Sequence, residues 1–293
     1  MVYHIVLRAS VVCLLSIIAF NTWAESSVWK VSKGKNCFYL GGTIHVLTPS
    51  DHPLPKEFFV AYKDADKLIF EVDIAETNTR ESPAKMMAAM QYPAGQTLAD
   101  DLNQDTFKRL GGFLQSRGIP IQHFSGYYPW AVSLMVSMIE YQRMGMVPEY
   151  GVDQYFHQKA VADKKQLGSL ETMEQQISFM ETMGNIEPNM MLNYTLRDLK
   201  ELPSLIAFMK KAWRSGDLEA FTKHESMVAM KAEFPVFHNM LVTQRNNNWM
   251  QELTKLNSDS LKEFVLVGAL HLNDKEGLLN QLASSGYKVE QLK

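Results

Sequence analysis

Two short segments at opposite ends of the chain share one pattern. An apolar run at residues 37–40 leads into Gly42-Thr43-Ile44-His45, and a second run at residues 264–267 leads into Gly268-Ala269-Leu270-His271. Each run is typical of a buried strand, and the glycine lets the backbone turn or approach another group closely. Because α/β folds place ligand sites at the carboxyl ends of strands, the pattern predicts that His45 and His271 share one site, such as a metal ion.

The first residues have the three-part build of a secretory signal peptide. Arg8 precedes an apolar stretch at residues 9–20, and Thr22-Trp23-Ala24 matches a small-x-small cleavage site. We expect cleavage after Ala24 and an exported, periplasmic protein. As a helix the apolar stretch would reach about 18 Å, against about 30 Å of hydrocarbon, so we expect no membrane span after cleavage.

The pattern of apolar runs predicts an α/β (α+β-like) fold. We expect one domain over residues 25–293, with a mixed central sheet formed by the N- and C-terminal parts of the chain and a large helical insertion at about 76–256. Within that region, residues 128–144 form the clearest helix, residues 165–171 a strand, and residues 187–256 are wholly helical. Breaks are expected at Pro203, Gly216 and Pro235. The remaining predicted strands are 27–31, 36–41, 67–73, 263–267 and 287–292, with helices at 55–64 and 275–285.

Composition limits the class of partner. The chain has 29 Lys and Arg against 32 Asp and Glu, a net charge of −3, and no dense basic cluster. We therefore expect no nucleic-acid partner. Cys37 is the only cysteine after signal removal, so the exported protein has no intrachain disulfide. Oligomeric state cannot be deduced from these features.

The two histidines need a further ligand to hold a metal ion. Glu71 lies at the end of the predicted strand 67–73 and would supply a carboxylate if the strands are neighbours. Imidazole with carboxylate suits Mn, Fe, Co, Ni or Zn. Taken singly, a histidine at a strand end is more often structural, and Glu71 and Asp73 could be ordinary charged residues at a strand exit.

Seven motifs occur along the mature chain in a fixed order. They are Gly42-Thr43-Ile44-His45, the strand ending in Glu71, Tyr128-Pro129-Trp130, Gly151-Val152-Asp153, Leu170-Glu171-Thr172, Arg245-Asn246 and Gly268-Ala269-Leu270-His271. Together they resemble the TraB/GumN family, to which the TIKI metalloproteases are related. The specificity of the resemblance lies in the whole set, because a single Gly-x-x-His motif is weak.

The resemblance implies a metal-dependent peptidase that acts on a peptide or protein substrate. It implies His45, His271 and Glu71 as the active centre around a divalent ion (Mn, Co or Zn). Such an ion lowers the pKa of bound water and polarises a carbonyl group. Glu71 would either bind the ion or accept the proton of the water.

Two other charged residues are candidates for catalysis. Arg245 could hold a substrate carboxylate or an oxyanion, or pair with Glu71 or Glu171; otherwise it is a solvated charge on a helix. Glu171 is a third carboxylate at a strand end and could equally favour a helix N-terminus by its charge.

Three further residues of these motifs have simpler interpretations. Asp153 is suited to be the N-cap of the following helix. Tyr128 and Trp130 could line a cleft, although aromatic residues at a helix start more often pack in the core.

Two classes of function remain after these considerations. The first is a divalent-metal-dependent hydrolase, most simply a peptidase. The alternative is a non-catalytic exported binding protein that sequesters a peptide, haem or another small ligand in the same cleft. A purely structural role for both histidine motifs is the third possibility.

Overall fold

The structure is a computed structural model that describes residues 26–77, 79–256 and 261–293. The predicted signal peptide, residues 1–24, lies outside the described residues and stays a prediction. The strands of the described chain are β1 Val28–Lys33, β2 Asn36–Thr43, β3 Lys67–Phe70, β4 Gln166–Ser169, β5 Glu263–Gly268 and β6 Lys288–Gln291.

These strands form one mixed sheet in the order β4-β3-β5-β2-β1-β6. The first four strands in that order are parallel neighbours, and β1 pairs antiparallel with both β2 and β6. Strand β5 is buried along its whole length at the centre of the parallel part, as a strand covered on both faces must be. The predicted α/β class, with a mixed sheet drawn from both ends of the chain, is confirmed.

Helices make up most of the rest of the described chain. Their bounds are α1 Lys56–Asp64, α2 Ile74–Thr77, α3 Glu81–Met90, α4 Leu98–Asp101, α5 Gln104–Gln115, α6 Pro129–Arg143, α7 Val152–Ala162, α8 Met173–Glu181, α9 Pro188–Ser215, α10 Leu218–Lys223, α11 Glu225–Glu233, α12 Pro235–His238, α13 Arg245–Leu253 and α14 Leu278–Ser284. A π-helical turn, Asn239–Gln244, joins α12 to α13. No helix in the described ranges is both long and apolar enough to cross a bilayer.

The helical region between the sheet-forming ends differs from the sequence prediction at Pro203. The strand predicted at 165–171 is present as β4 and joins the sheet from within the 76–256 region. Pro203 was expected to break a helix but lies inside α9. A proline costs one backbone hydrogen bond, and here Leu199, Leu202 and Ile206 on the same helix are buried in a hydrophobic cluster that outweighs this cost. Gly216, with φ of 68°, ends α9 as expected.

The hydrophobic core lies between the sheet and the helices that pack against it. A continuous cluster of buried residues includes Phe58, Phe156, Trp213 and Phe264, whose rings contact one another. The Trp213 indole N–H donates to the carbonyl oxygen of Gly42 at 2.7 Å. Helix α9 is therefore anchored at the carboxyl end of β2, which is the edge where His45 follows.

Candidate metal and catalytic site

Each of the four parallel strands ends at the same edge of the sheet and is followed by one candidate site residue. His45 lies two residues beyond β2, Glu71 directly after β3, Glu171 two residues beyond β4, and His271 three residues beyond β5. Thr43 of β2 is paired in register with Gly268 of β5, so the two Gly-x-x-His motifs leave the sheet side by side. The adjacency that a shared site requires is present.

Glu71 lies at the centre of this group and is buried. Its Oε1 accepts from the Gly268 backbone N–H at 2.7 Å, and its Oε2 accepts from Arg245 Nη2 at 2.6 Å. The Nε2 atoms of His45 and His271 lie 3.9 and 4.0 Å from the same Oε1. Burial alone would raise the pKa of Glu71, but Arg245, the two histidines and the Gly268 N–H outweigh it and lower the pKa to about 2.

Gly268 leaves the space in which these groups meet. A Cβ atom at this position would lie 3.2 Å from His45 Nε2, 3.3 Å from Glu71 Oε1 and 3.6 Å from His271 Cδ2. The first two contacts are shorter than a Cβ atom usually makes, so His45 and Glu71 would have to shift by a few tenths of an ångström. The glycine of the second motif thus serves close approach, and not a turn with positive φ.

His45 is held by Asp153 from the first turn of α7. Its Nδ1 is 2.8 Å from Asp153 Oδ2, while the Thr43 hydroxyl donates to the other carboxylate oxygen at 2.9 Å. The His45 side chain is 59% exposed. Asp153 raises the pKa of His45 to about 9, against the opposing effect of the partial loss of hydration at the edge of the site.

Asp153 is not the N-cap of α7, so that interpretation was wrong. Gly151 occupies the N-cap, and a Cβ there would lie 2.1 Å from the His45 carbonyl oxygen. The Val152 backbone N–H donates to the Ile44 carbonyl oxygen at 3.1 Å. The Gly151-Val152-Asp153 motif thus docks the helix start directly on the first histidine motif, and Asp153 is free to bind the imidazole.

His271 is held by Asn246 of α13 and is almost fully buried. The Asn246 amide nitrogen donates to the carbonyl oxygens of His271 and Glu276, so its oxygen is the acceptor facing His271 Nδ1 at 2.7 Å. The Nδ1 atom therefore carries the proton, and the Nε2 lone pair faces Arg245 Nη1 at 3.2 Å. Burial lowers the pKa of His271 to about 3. The imidazole lies against the Trp249 ring, with centroids 4.5 Å apart and planes tilted by 45°.

Arg245 connects the group and is buried, so the solvated-charge interpretation was wrong. Its guanidinium pairs with both carboxylates named as alternatives, donating to Glu71 at 2.6 Å and to Glu171 at 2.7 and 3.1 Å. The guanidinium also lies over the Trp249 ring at 4.6 Å. Desolvation opposes the charge, but the two carboxylates raise the pKa of Arg245 above its ordinary value.

Glu171 stands behind Arg245 and is buried. Besides Arg245 it accepts from the Trp249 indole N–H at 3.1 Å. Burial raises its pKa despite the guanidinium. The N-cap of α8 is Thr172, whose hydroxyl accepts from the Gln175 N–H, so capping needs no help from Glu171. Glu171 therefore orients Arg245 and does not reach the open side of the site.

A cavity of about 380 Å³ opens onto this edge of the sheet. Its charged wall is formed by His45, Glu71, Asp153 and Arg245, whereas neither His271 nor Glu171 lines it. Tyr128 and Trp130 are not part of it either. They line a separate cavity of about 280 Å³, and Trp130 is buried in a hydrophobic cluster, which bears out the core-packing interpretation.

The residue types of this group are those that commonly bind a divalent ion, since imidazole and carboxylate are both frequent ligands. Both histidines bind an acceptor through Nδ1, as metal-ligating histidines usually do, and their Nε2 atoms lie within 4.0 Å of Glu71 Oε1. Within residues 26–77, 79–256 and 261–293, however, no group of three His, Cys, Asp or Glu side chains has the spacing of a metal site. An ion on His271 Nε2 would take the lone pair that now accepts from Arg245.

Three residues that complete the site were given no role in the sequence analysis. Thr43 holds Asp153, Asn246 fixes the tautomer of His271, and Trp249 holds Glu171 and covers His271. The signal for two of them was present, since Arg245, Asn246 and Trp249 follow one another at helical spacing and so approach the same side of the sheet edge.

This is an α/β protein with a buried His-Glu-Arg group at the carboxyl edge of a parallel sheet. Its sequence matches the model of the TraB/PrgY/gumN family over residues 27–291, and the chain belongs to this family. The expected family resemblance is thereby confirmed.

Several curated proteins are similar over most of the chain. "Uncharacterized protein YbaP" of Escherichia coli (strain K12) is 26% identical over 249 residues, which cover 85% of this chain and 88% of that protein. "Metalloprotease TIKI1" of Danio rerio and "Metalloprotease TIKI2" of Xenopus tropicalis are each 24% identical, over 91% of this chain and 63% and 60% of their own lengths. No solved structure matches the chain significantly.

Proposed function

We propose that this protein is a divalent-metal-dependent hydrolase that cleaves peptide bonds in an exported, periplasmic setting. The single observation that carries the proposal is the convergence of His45 Nε2 and His271 Nε2 on Glu71 Oε1. The names of the TIKI relatives support the same class. The substrate is a peptide or protein, and nucleic acid is not a partner.

In this proposal His45, His271 and Glu71 hold the ion. A divalent ion held there would lower the pKa of a bound water molecule and polarise the scissile carbonyl group. Glu71 is assigned as a ligand, because the Nε2 atoms of both histidines lie within 4.0 Å of its Oε1.

The other residues of the site act on these three. Asp153 and Asn246 fix the ring orientation of His45 and His271, and Arg245 fixes Glu71 while Glu171 and Trp249 fix Arg245. Arg245 also presents positive charge at the wall of the cavity, where it can stabilise an oxyanion.

The alternative is a binding protein that sequesters a peptide, haem or another small ligand without turnover. One observation favours it: the guanidinium of Arg245 contacts the Nε2 atom of His271 that a metal ion would need. This alternative predicts saturable uptake of ligand that a chelator does not change and that yields no product.

The test is hydrolysis of a peptide library by the purified mature chain with added Mn, Co or Zn. We expect cleavage of the peptides, and we expect EDTA to abolish it. The variants His45→Ala, His271→Ala and Glu71→Ala should each lower the cleavage rate below detection while circular dichroism shows that they remain folded. His123→Ala, at an exposed histidine outside the site, is the matched control and should keep full activity. Full activity in either His45→Ala or His271→Ala would refute the proposal.

A further inference from the structure

The cavity beside the candidate site has a second wall that is mostly apolar. It is formed by Val72 and Ile74, which follow β3, by Gln176, Phe179 and Met180 of α8, and by Leu241 of the π-helical turn, so Gln176 is the one polar side chain among these residues. A ligand in this cavity would therefore contact both charged groups at the sheet edge and apolar side chains.

Two of these apolar side chains are not committed to the core. Val72, Ile74 and Met180 each pack into one of the hydrophobic clusters. Phe179 and Leu241 belong to none of the clusters formed by the described residues, yet both line the cavity. Both side chains are half-buried and border the cavity, so a ligand that covered the rest of their apolar surface would gain binding free energy.

The position of Leu241 is coupled to that of Arg245. Leu241 lies in the π-helical turn Asn239–Gln244, which ends immediately before Arg245. Its carbonyl oxygen accepts from Arg245 Nη1 at 3.4 Å. Turns of this kind frequently occur at functional sites. One local irregularity thus places a residue of the charged wall and a residue of the apolar wall together.

We propose that the substrate inserts an uncharged apolar side chain, of the size of Leu or Phe, between Phe179 and Leu241, while the adjoining peptide backbone lies against His45 and Glu71. This inference rests on the proposed function and names its substrate class. A volume of about 380 Å³ holds one such side chain with its backbone. An acidic side chain between Phe179 and Leu241 is disfavoured, because it would lose hydration against their hydrocarbon surface.

The test measures binding without turnover. Three fluorescent pools of capped hexapeptides, random except for Leu, Gln or Glu at one central position, are titrated with the full mature chain in EDTA and followed by polarisation. We expect the Leu pool to bind about tenfold or more tightly than the Gln pool, the Glu pool being weakest, since burying a leucine side chain favours binding by that order.

Variants assign this preference to the two residues. Phe179→Ala and Leu241→Ala should each remove most of the Leu-over-Gln preference, whereas Phe179→Leu should keep most of it. Leu134→Ala is the matched control for Leu241→Ala, because Leu134 is 36% exposed on α6 and away from the cavity. All four variants should keep the melting temperature of the parent chain.

The outcomes separate this inference from the proposed function. Three results would each overturn the pocket assignment. The first is equal affinity for the three pools, and the second is an effect of Leu134→Ala as large as that of Leu241→Ala. The third is tighter binding of an octanoyl ester, which carries an apolar chain but no peptide backbone, than of the Leu pool. A Leu preference lost in Phe179→Ala, with no hydrolysis in Mn, Co or Zn, would keep the pocket and refute the hydrolase. Hydrolysis of all three pools at one rate would keep the hydrolase and refute the pocket.

Discussion

The two Gly-x-x-His motifs leave neighbouring strands side by side but end in opposite environments. The side chain of His45 is 59% exposed and bound to a carboxylate, and its pKa is raised to about 9. The side chain of His271 is 6% exposed and bound to an amide, and its pKa is lowered to about 3. The same local sequence pattern thus supports one imidazole that is easily protonated and one that stays neutral.

The difference shows which property each part of the chain controls. The strand and its glycine set where the imidazole lies, because β2 and β5 are paired in register. The surroundings set the charge: Asp153 of α7 raises the pKa of His45, whereas burial lowers the pKa of His271, whose Nδ1 is bound by Asn246 of α13. Both Nε2 atoms nevertheless lie within 4.0 Å of Glu71 Oε1, so the two rings differ in charge but approach the same atom.

The largest effect on stability is expected from removing the buried cation, Arg245. Arg245→Met would leave Glu71 and Glu171 buried without their countercharge, and we expect a loss of about 3–5 kcal/mol of unfolding free energy. Urea denaturation measures this. Arg197→Met is the matched control: the Arg197–Glu233 pair is exposed, so its loss should cost no more than about 1 kcal/mol. Equal losses in the two variants would contradict the account of Arg245.

The two histidines should affect stability in opposite pH ranges when metal is removed. Unfolded His271 binds a proton below pH 6.5, but folded His271 binds one only near pH 3. Its contribution to the unfolding free energy is therefore fully present above pH 6.5 and is lost as the pH falls from 6.5 toward 3. Folded His45 keeps its proton up to about pH 9, whereas unfolded His45 loses it near pH 6.5. Its contribution to the unfolding free energy is therefore fully present below pH 6.5 and is lost as the pH rises toward 9.

Denaturation curves from pH 4 to 9 in EDTA test this asymmetry. His271→Gln should flatten the acid side of the stability profile and His45→Gln the alkaline side, each leaving the other side unchanged. The account of the two environments would be wrong if both variants changed the same side.

A smaller effect is expected from changing the partner of His45. In Asp153→Asn the carboxylate that raises the pKa of His45 is gone, so this pKa should fall from about 9 toward the ordinary value of 6.5. The pKa of His271 should stay low, because its environment is unchanged. Titration of the imidazole NMR signals measures both values, and a His45 pKa that stays near 9 would show that Asp153 is not its cause.

The position of the site could be predicted from the sequence because it depends on strands and their ends. Apolar runs identified β2, β3 and β5, and the residue following each run identified His45, Glu71 and His271. Parallel strands bring their carboxyl ends to one edge of the sheet, but the sequence did not show that β2, β3 and β5 are neighbours there, and this adjacency is what brings the three residues together.

The spacing of Arg245, Asn246 and Trp249 indicates that they lie close together on one helix, but their contacts with His271 could not be predicted. Those contacts depend on how α13 is rotated against the sheet edge, which tertiary packing sets. Local rules also failed where packing outweighed them. Pro203 lies within α9 because its neighbours are buried. The N-cap of α7 is Gly151 and not Asp153, because only a glycine can approach the His45 backbone so closely.

The central claim is that two histidines from opposite ends of the chain hold one divalent ion. The most direct measurement is calorimetric titration of the metal-free mature chain with Mn, Co and Zn, repeated with His45→Ala, His271→Ala and the control His123→Ala. We predict one ion per chain in the parent and in His123→Ala, and none in His45→Ala or His271→Ala. Undiminished binding in either of these two variants, or no binding in the parent, would contradict the claim.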